Sequence, residues 1–349
     1  MRINYFIWAS DISNSTGEGR LARNFIKDLN IKKNKKIIIK TFESIYKINT
    51  TEINKVKNLT NQTTDKSSVH KYFGPLVGII FSWIYYFRGF KIIYVNYLPL
   101  WNPLPFMMLP PKSILGPITG SIFMGKNNFS LNIRNIIFPI LYSISSIWIQ
   151  IRYKKAIFST NLLKSYFPNN KNYFFNYVIT FLLSKKTNKK KKYDLIYYYR
   201  EHENKNNGNI LNLINQLRLD GIKICTIGHK INKKNIKNFG YVSNQKVIKI
   251  LKSSKASFSS AENLFSIFNI ESINYNLIVF FDLHLLKYNN PIYTSNLIPI
   301  DFNKRTNLKI IKKNLNSNNS YLSQKYQKRV ILLKKEFNQF IKTYFCSSN

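Results

Sequence analysis

Short apolar runs alternate with longer amphipathic or polar stretches along the whole chain, the pattern left by strands that are followed by helices. In the first half, Ile3 to Trp8 reads as a buried strand, Ser13 to Gly19 as a turn and Arg20 to Leu29 as an amphipathic helix. A second strand is expected at Lys36 to Thr41, a helix or long loop at Asn49 to Ser68, and a further strand at Phe90 to Asn96. The second half is more regular. It reads as strand Tyr193–Tyr199, helix Asn207–Leu219, strand Ile222–Ile227, strand Phe239–Val242, helix Asn244–Ser254, strand Ala256–Ser259, helix Leu264–Asn274 and strand Leu277–Asp282. A basic amphipathic helix from Tyr321 to Tyr344 closes the chain. Alternation of this kind belongs to α/β folds built on parallel sheets.

A chain of 349 residues is long for one hydrophobic core, so two domains are expected. The seam is placed at the lysine run ending in Lys192, which no core can bury. Residues 1–184 then form a first α/β domain, 185–192 a basic linker, 193–305 a second α/β domain, and 306–349 a basic helical tail able to pack back on the first. Two apolar segments, Phe73–Phe87 and Ile136–Ile151, are shorter than the roughly 20 apolar residues of a membrane span. Their lengths leave three readings: a buried core helix, a segment lying in a membrane interface, or a span.

Composition narrows the function classes. Apolar residues at 44% supply enough material for packed cores. The cysteines, Cys225 and Cys346, have no paired metal spacing and cannot staple a fold, which fits a reducing, cytoplasmic setting. Met1 to Ser10 lacks the apolar core and cleavage site of an export signal. The 54 Lys and Arg against 15 Asp and Glu leave a formal charge of +39, which favours anionic partners: nucleic acid, acidic lipid or phosphorylated small molecules. Over-use of Lys, Asn and Ile, all with A/T-rich codons, weakens that inference. No aromatic side chains interleave the lysine run to stack bases, so it reads as a solvated hinge rather than a nucleic-acid patch.

Ligands of open parallel sheets bind beyond the carboxyl ends of the strands. After Tyr199 come Arg200 and Lys205, a guanidinium and an ammonium at a strand-to-helix turn, suited to clamping a diphosphate. After Ser259 come Ser260, Glu262 and Asn263, where helix N-terminal N–H groups can meet the same anion. Glu271 is a carboxylate in an otherwise apolar helical pattern; it either faces solvent or is buried with partners, and a pair of ribose hydroxyls is one such partner. Gly17 and Gly19 follow the first strand and permit close backbone approach, but the full dinucleotide fingerprint and a Walker lysine motif are absent. His70, His229 and His284 read as surface or packing residues, and His202 lies in the expected phosphate turn. No Asp-x-Asp pair and no cluster with zinc spacing occurs, so metal independence is expected.

The order and spacing of these pieces resemble the two-Rossmann-domain (GT-B type) nucleotide-sugar glycosyltransferases, especially the retaining enzymes of bacterial surface-polysaccharide synthesis. The resemblance rests on Arg200 with Lys205, the segment Phe239–Ser243, then Ser259–Asn263 and Glu271; more loosely it includes Gly17–Gly19 and Leu115–Gly120. It implies two Rossmann-like domains facing each other across a cleft. Arg200 and Lys205 would hold the donor diphosphate, Glu271 the ribose, and Gly116, Thr119 and Gly120 would belong to a loop near the cleft. The family separates its paired glutamates by seven residues, whereas eight lie between Glu262 and Glu271, so either the helix start bulges or Asn263 takes the first glutamate's place. Asn96 stands where the family often has a histidine, and no general base is assigned. The implied activity is sugar transfer from a nucleotide-diphosphate sugar to a saccharide or lipid-linked acceptor, without metal or other cofactor. The cysteine usage and the missing export signal point to the cytoplasm, and the basic residues near the two apolar segments favour an anionic membrane surface on its inner face as a further partner. The alternatives are a catalytically degenerate relative and a basic nucleic-acid-binding protein, the latter leaving Arg200, Lys205 and Glu271 unexplained.

Overall fold

The computed structural model describes residues 4–12, 17–29, 35–42, 44–49, 68–120, 129–153, 155–168, 170–180, 191–201, 207–259, 264, 266–288, 297–302, 307–316 and 320–346. The chain divides into two compact units. One comprises Met1–Ile122, Asn132–Val178 and Lys334–Asn349; the other Phe123–Leu131 and Ile179–Leu333.

In the first unit the strands are β1 (Tyr5–Ala9), β2 (Lys36–Lys40), β3 (Ile45–Asn49), β4 (Lys91–Pro99), β5 (Ile114–Thr119), β6 (Ala156–Phe158) and β7 (Tyr173–Phe174). They form a sheet in the order β3-β2-β1-β4-β5-β6-β7, parallel except for β3. All five residues of β1 are buried, because a central parallel strand is covered on both faces. Its side chains divide by the period of two. Tyr5, Ile7 and Ala9 meet Phe25 and Ile26 of α1 (Gly17–Asp28), whereas Phe6 and Trp8 meet Ile79 of α2 (Ser68–Phe87) and Tyr142 and Ile149 of α4 (Phe129–Arg152). A short helix α3 (Leu104–Met108) lies beside α2, whose Trp83 donates through Nε1 to the Met108 carbonyl at 2.7 Å. Gly78 of α2 rests directly on the Trp8 indole, where any Cβ would collide.

The second unit holds β8 (Tyr193–Tyr199), β9 (Ile224–Gly228), β10 (Ile236–Asn238), β11 (Ser254–Phe258), β12 (Ile278–Asp282) and β13 (Leu297–Ile300). The order is β10-β9-β8-β11-β12-β13 and every pairing is parallel. This is a doubly wound sheet that reverses direction between β8 and β11. Helices α5 (Asn207–Leu219) and α8 (Asn307–Leu315) cover one face, and α6 (Asn244–Lys252) and α7 (Ile267–Asn274) contribute Ile250, Leu251 and Phe268 to the other. The last helix, α9 (Ser320–Cys346), delivers Phe337 and Ile341 into the core beside Phe25, Phe174 and Tyr177 of the first unit.

Several elements differ from expectation. The segment Leu115–Gly120 is not a loop: Ile114–Thr119 is the buried strand β5, with Gly120 just beyond it. A Gly-Pro pair reads locally as a turn, but at Gly116 the close approach of Ile157, whose Cβ would lie 2.9 Å from an added Cβ, requires glycine inside the sheet. The expected strand Phe239–Val242 falls earlier, at Ile236–Asn238. There the Asn238 amide ties the preceding loop, accepting from Ile231 N at 2.9 Å and donating to Ile231 O at 3.0 Å, and Gly240 at φ 68° turns the chain. Helix α7 starts at Ile267 rather than Leu264, because Ser266 caps it by accepting from Asn269 N at 3.2 Å. Both long apolar segments are helices packed on the sheet, and among the described residues no helix is long and apolar enough to cross a membrane. The stretches 50–67 and 181–190, which contain the expected polar loop and most of the basic linker, lie outside the described residues.

Candidate functional site

The strand order reverses between β8 and β11, and open α/β sheets bind ligands beyond the carboxyl ends of the strands at such a reversal. Arg200 is the first residue past β8 and is exposed, its guanidinium 6.0 Å from the centre of the Tyr198 ring. Glu201 follows, and its backbone N–H donates to Nδ1 of His229 at 3.0 Å. The Tyr241 hydroxyl lies 3.0 Å from Nδ1 and 3.2 Å from Nε2 of the same ring. His229 in turn donates its backbone N–H to the Tyr199 carbonyl at 2.9 Å, and Gly228 N donates to Gly240 O at 3.0 Å. Two glycines with positive φ, Gly228 at 91° and Gly240 at 68°, thus draw the ends of β8 and β9 and the Tyr241 loop together. Burial pushes the Tyr198 hydroxyl above its ordinary pKa, partly offset by the Arg200 charge, and keeps it neutral beside the cation.

On the β11 side, Ser259 is buried and accepts from Asn269 Nδ2 at 2.7 Å, while the same amide donates to Leu264 O at 3.0 Å. These bonds fix the start of α7 against the end of β11. Glu271 sits one turn inside α7 at 8% exposure, which removes the solvent-facing alternative for this carboxylate. A carboxylate so placed needs hydrogen-bond donors.

Of the residues expected at the site, Arg200 and Glu271 fall in the second unit around the β8/β11 reversal. Lys205, Ser260, Glu262 and Asn263, and also His202, lie outside the described residues. Gly17, Gly19, Gly116, Thr119 and Gly120 all belong to the first unit. Gly17 opens α1 and Gly19 is buried within its first turn, at that sheet's own reversal between β1 and β4. The loop between β1 and α1 is held by Arg23, which is buried and donates through Nε to Ile12 O at 2.9 Å. Burial lowers the Arg23 pKa and the Asp11 carboxylate opposes the shift. Gly120 leaves room for Leu163, whose Cδ1 would stand 2.8 Å from an added Cβ. His229, which the sequence reads as a surface or packing residue, instead joins Tyr241 and Glu201 at this strand end; its sequence signal is that it directly follows a strand. Among the described residues no group of three or more His, Cys, Asp or Glu side chains is placed to hold a metal ion.

No protein-family model and no curated protein matches the sequence. Solved structures do resemble the fold. The calicheamicin glycosyltransferase superposes with a TM-score of 0.50 at 9% identity, covering 100% of both chains. The UDP-GlcNAc 2-epimerase of Methanocaldococcus jannaschii, in complex with UDP-GlcNAc and UDP, gives 0.49 at 13% identity over 95% of this chain and 99% of its own. A DNA-modifying β-glucosyltransferase gives 0.47 at 13% identity over 97% and 98%. The chain therefore has the fold of the GT-B nucleotide-sugar glycosyltransferases, two Rossmann-like α/β units, each built on a mainly parallel sheet. Likeness at this level of identity is a likeness of fold.

Proposed function

We propose that the protein is a glycosyltransferase that moves a sugar from a nucleotide-diphosphate donor to a saccharide or lipid-linked acceptor in cell-surface polysaccharide synthesis. The observation that carries this reading is that an exposed arginine and a buried carboxylate lie on the two sides of the strand reversal of the second unit, Arg200 just after β8 and Glu271 in α7, which follows β11. Arg200 and Lys205 hold the diphosphate; as the bond from the anomeric carbon to the phosphate oxygen breaks, they stabilise the growing negative charge. Glu271 accepts the ribose hydroxyls, and Ser260, Asn263 and Glu262 line the donor side. The acceptor hydroxyl forms the new bond to the anomeric carbon and passes its proton to the departing phosphate, with retention and without a metal. The enzyme works on the cytoplasmic side.

The test is a thermal-shift screen of the purified protein against nucleoside diphosphates and nucleotide sugars. A ligand at 100 times its dissociation constant stabilises by about 2.7 kcal/mol, an easily read shift. Selective stabilisation by one nucleotide, lost in Arg200→Ala, is the expected result. Absence of any response overturns the donor site, and binding without turnover points to a degenerate, non-catalytic relative.

A further inference from the structure

Helices α2 and α4 each bury one face on the same side of the first unit's sheet, yet their opposite faces are also apolar. On α4 the outward positions Ile140, Ile147 and Ile151 recur at helical spacing, and Ile151 is 73% exposed. On α2 the outward stripe includes Ile80 and Phe87, the latter 78% exposed. Helix α3 bridges the two. It is tied to α2 through Trp83, and to the end of α4 through Tyr153, whose hydroxyl donates to Phe106 O at 2.9 Å, and Arg152, which donates to Leu109 O at 2.8 Å. Its Met108 is exposed between them. A water-facing apolar surface spread over three adjacent helices is far more than the scattered exposed side chains of an ordinary surface.

The charge that these helices and their connections carry is of one sign. Between Asp65 and Asp194 the sequence contains no Asp or Glu, and Arg88, Lys112 and Arg134 are exposed on or beside these helices. The guanidinium groups of Arg88 and Arg134 lie over the Tyr85 and Phe138 rings, at 5.5 and 6.0 Å. Trp83 stacks on Phe87 at 5.3 Å, and Tyr86 packs edge-on against Trp83; such amphipathic rings favour the boundary between headgroups and acyl chains. Since no described helix is fit to cross a bilayer, this surface has the makeup of one that lies in it.

We infer that the outward face of α2, α3 and α4 is a monotopic docking surface for an anionic lipid bilayer, with the isoleucines and Phe87 entering the acyl boundary and the arginines meeting lipid phosphates. This surface lies on the first unit and does not depend on the nucleotide reading of the second. The experiment is co-sedimentation of the full chain with phosphatidylcholine vesicles, with and without phosphatidylglycerol, using the parent, Ile140→Glu/Ile147→Glu, Arg88→Ser/Arg134→Ser, and Leu219→Glu as an exposed apolar control in α5. The parent is expected to bind only the anionic vesicles and to be retained in part after a high-salt wash. Each basic side chain at an anionic surface strengthens binding roughly fivefold, so the double arginine variant loses on the order of 25-fold. The double isoleucine variant loses at least tenfold while melting at the parent temperature, and Leu219→Glu binds as the parent does. Equal binding by the isoleucine variant, or none by the parent, overturns the inference. A parent dimer that the isoleucine variant dissolves, with no vesicle binding, overturns it in favour of a face between copies of the chain.

Discussion

Gly228 and Gly221 have nearly the same backbone, φ 91° and 80°, but opposite surroundings, and replacing each with alanine separates local strain from a collision at the site. Gly221 follows α5, its N–H donates to Arg218 O at 3.1 Å, and nothing lies within 4 Å of an added Cβ. Gly221→Ala therefore costs only the left-handed strain of an L-residue, about 1–2 kcal/mol. At Gly228 the new Cβ would land on the Tyr199 carbonyl oxygen and lie 3.0 Å from Cε2 of Tyr198. That carbonyl also accepts the His229 N–H, so relief of the collision requires parting the ends of β8 and β9. Adding overpacking of about 1–3 kcal/mol and one backbone hydrogen bond of about 1 kcal/mol to the same strain gives roughly 3–6 kcal/mol for Gly228→Ala. Urea denaturation followed by circular dichroism should place the two variants about 2–4 kcal/mol apart. Because Arg200 is attached to the displaced Tyr199, the Gly228 variant should also weaken nucleotide binding, which Gly221→Ala leaves unchanged. A stability difference below about 0.5 kcal/mol, the size of ordinary surface effects, refutes the claim that these strand ends are locked together.

On the proposed chemistry, Arg200→Ala should lower kcat/KM by roughly 2–4 kcal/mol of transition-state stabilisation, and a loss under about threefold removes Arg200 from that role. Asp194 and Asp28 should respond to acid in opposite directions. Burial raises the Asp194 pKa, but the Lys255 ammonium at 2.7 Å and the Lys223 N–H at 3.0 Å outweigh it and hold the carboxyl below its ordinary value. Its stabilising contribution is complete above the unfolded value of about 3.9 and is lost as pH falls toward the folded pKa, so Asp194→Asn should flatten the acid limb of a stability-against-pH curve. Asp28 is raised, first by burial and against the pull of Lys334 and Tyr177, so its charged form is disfavoured and Asp28→Asn should help above the folded pKa. Cys225 is fully buried, with its thiol pushed up to about 12, and should resist thiol reagents until the protein is denatured; labelling of Cys225 in the native state at the rate of the unfolded chain contradicts its place in β9.

The sequence by itself determined the parallel α/β class, most of the second unit's elements, and the position of Arg200 at a strand end. Fully buried strands leave unbroken apolar runs, as in β1, and period and turn chemistry are local properties that one window of sequence records. It did not reveal β5, whose Gly116 and Pro117 mimic a turn, because the need for glycine there comes from Ile157, some forty residues later. Nor did it show that Glu271 is buried, that His229, Glu201 and Tyr241 join at one strand end, or which residues of the returning tail, Phe337 among them, enter the first unit's core. The apolar helices show the same division most plainly. Their composition announced helices with much hydrophobic surface, and only the packing decided which isoleucines meet the sheet and which face outward. Contacts between residues distant in sequence are set by the order of strands and the crossings of helices, and these have no signature in any single stretch of chain.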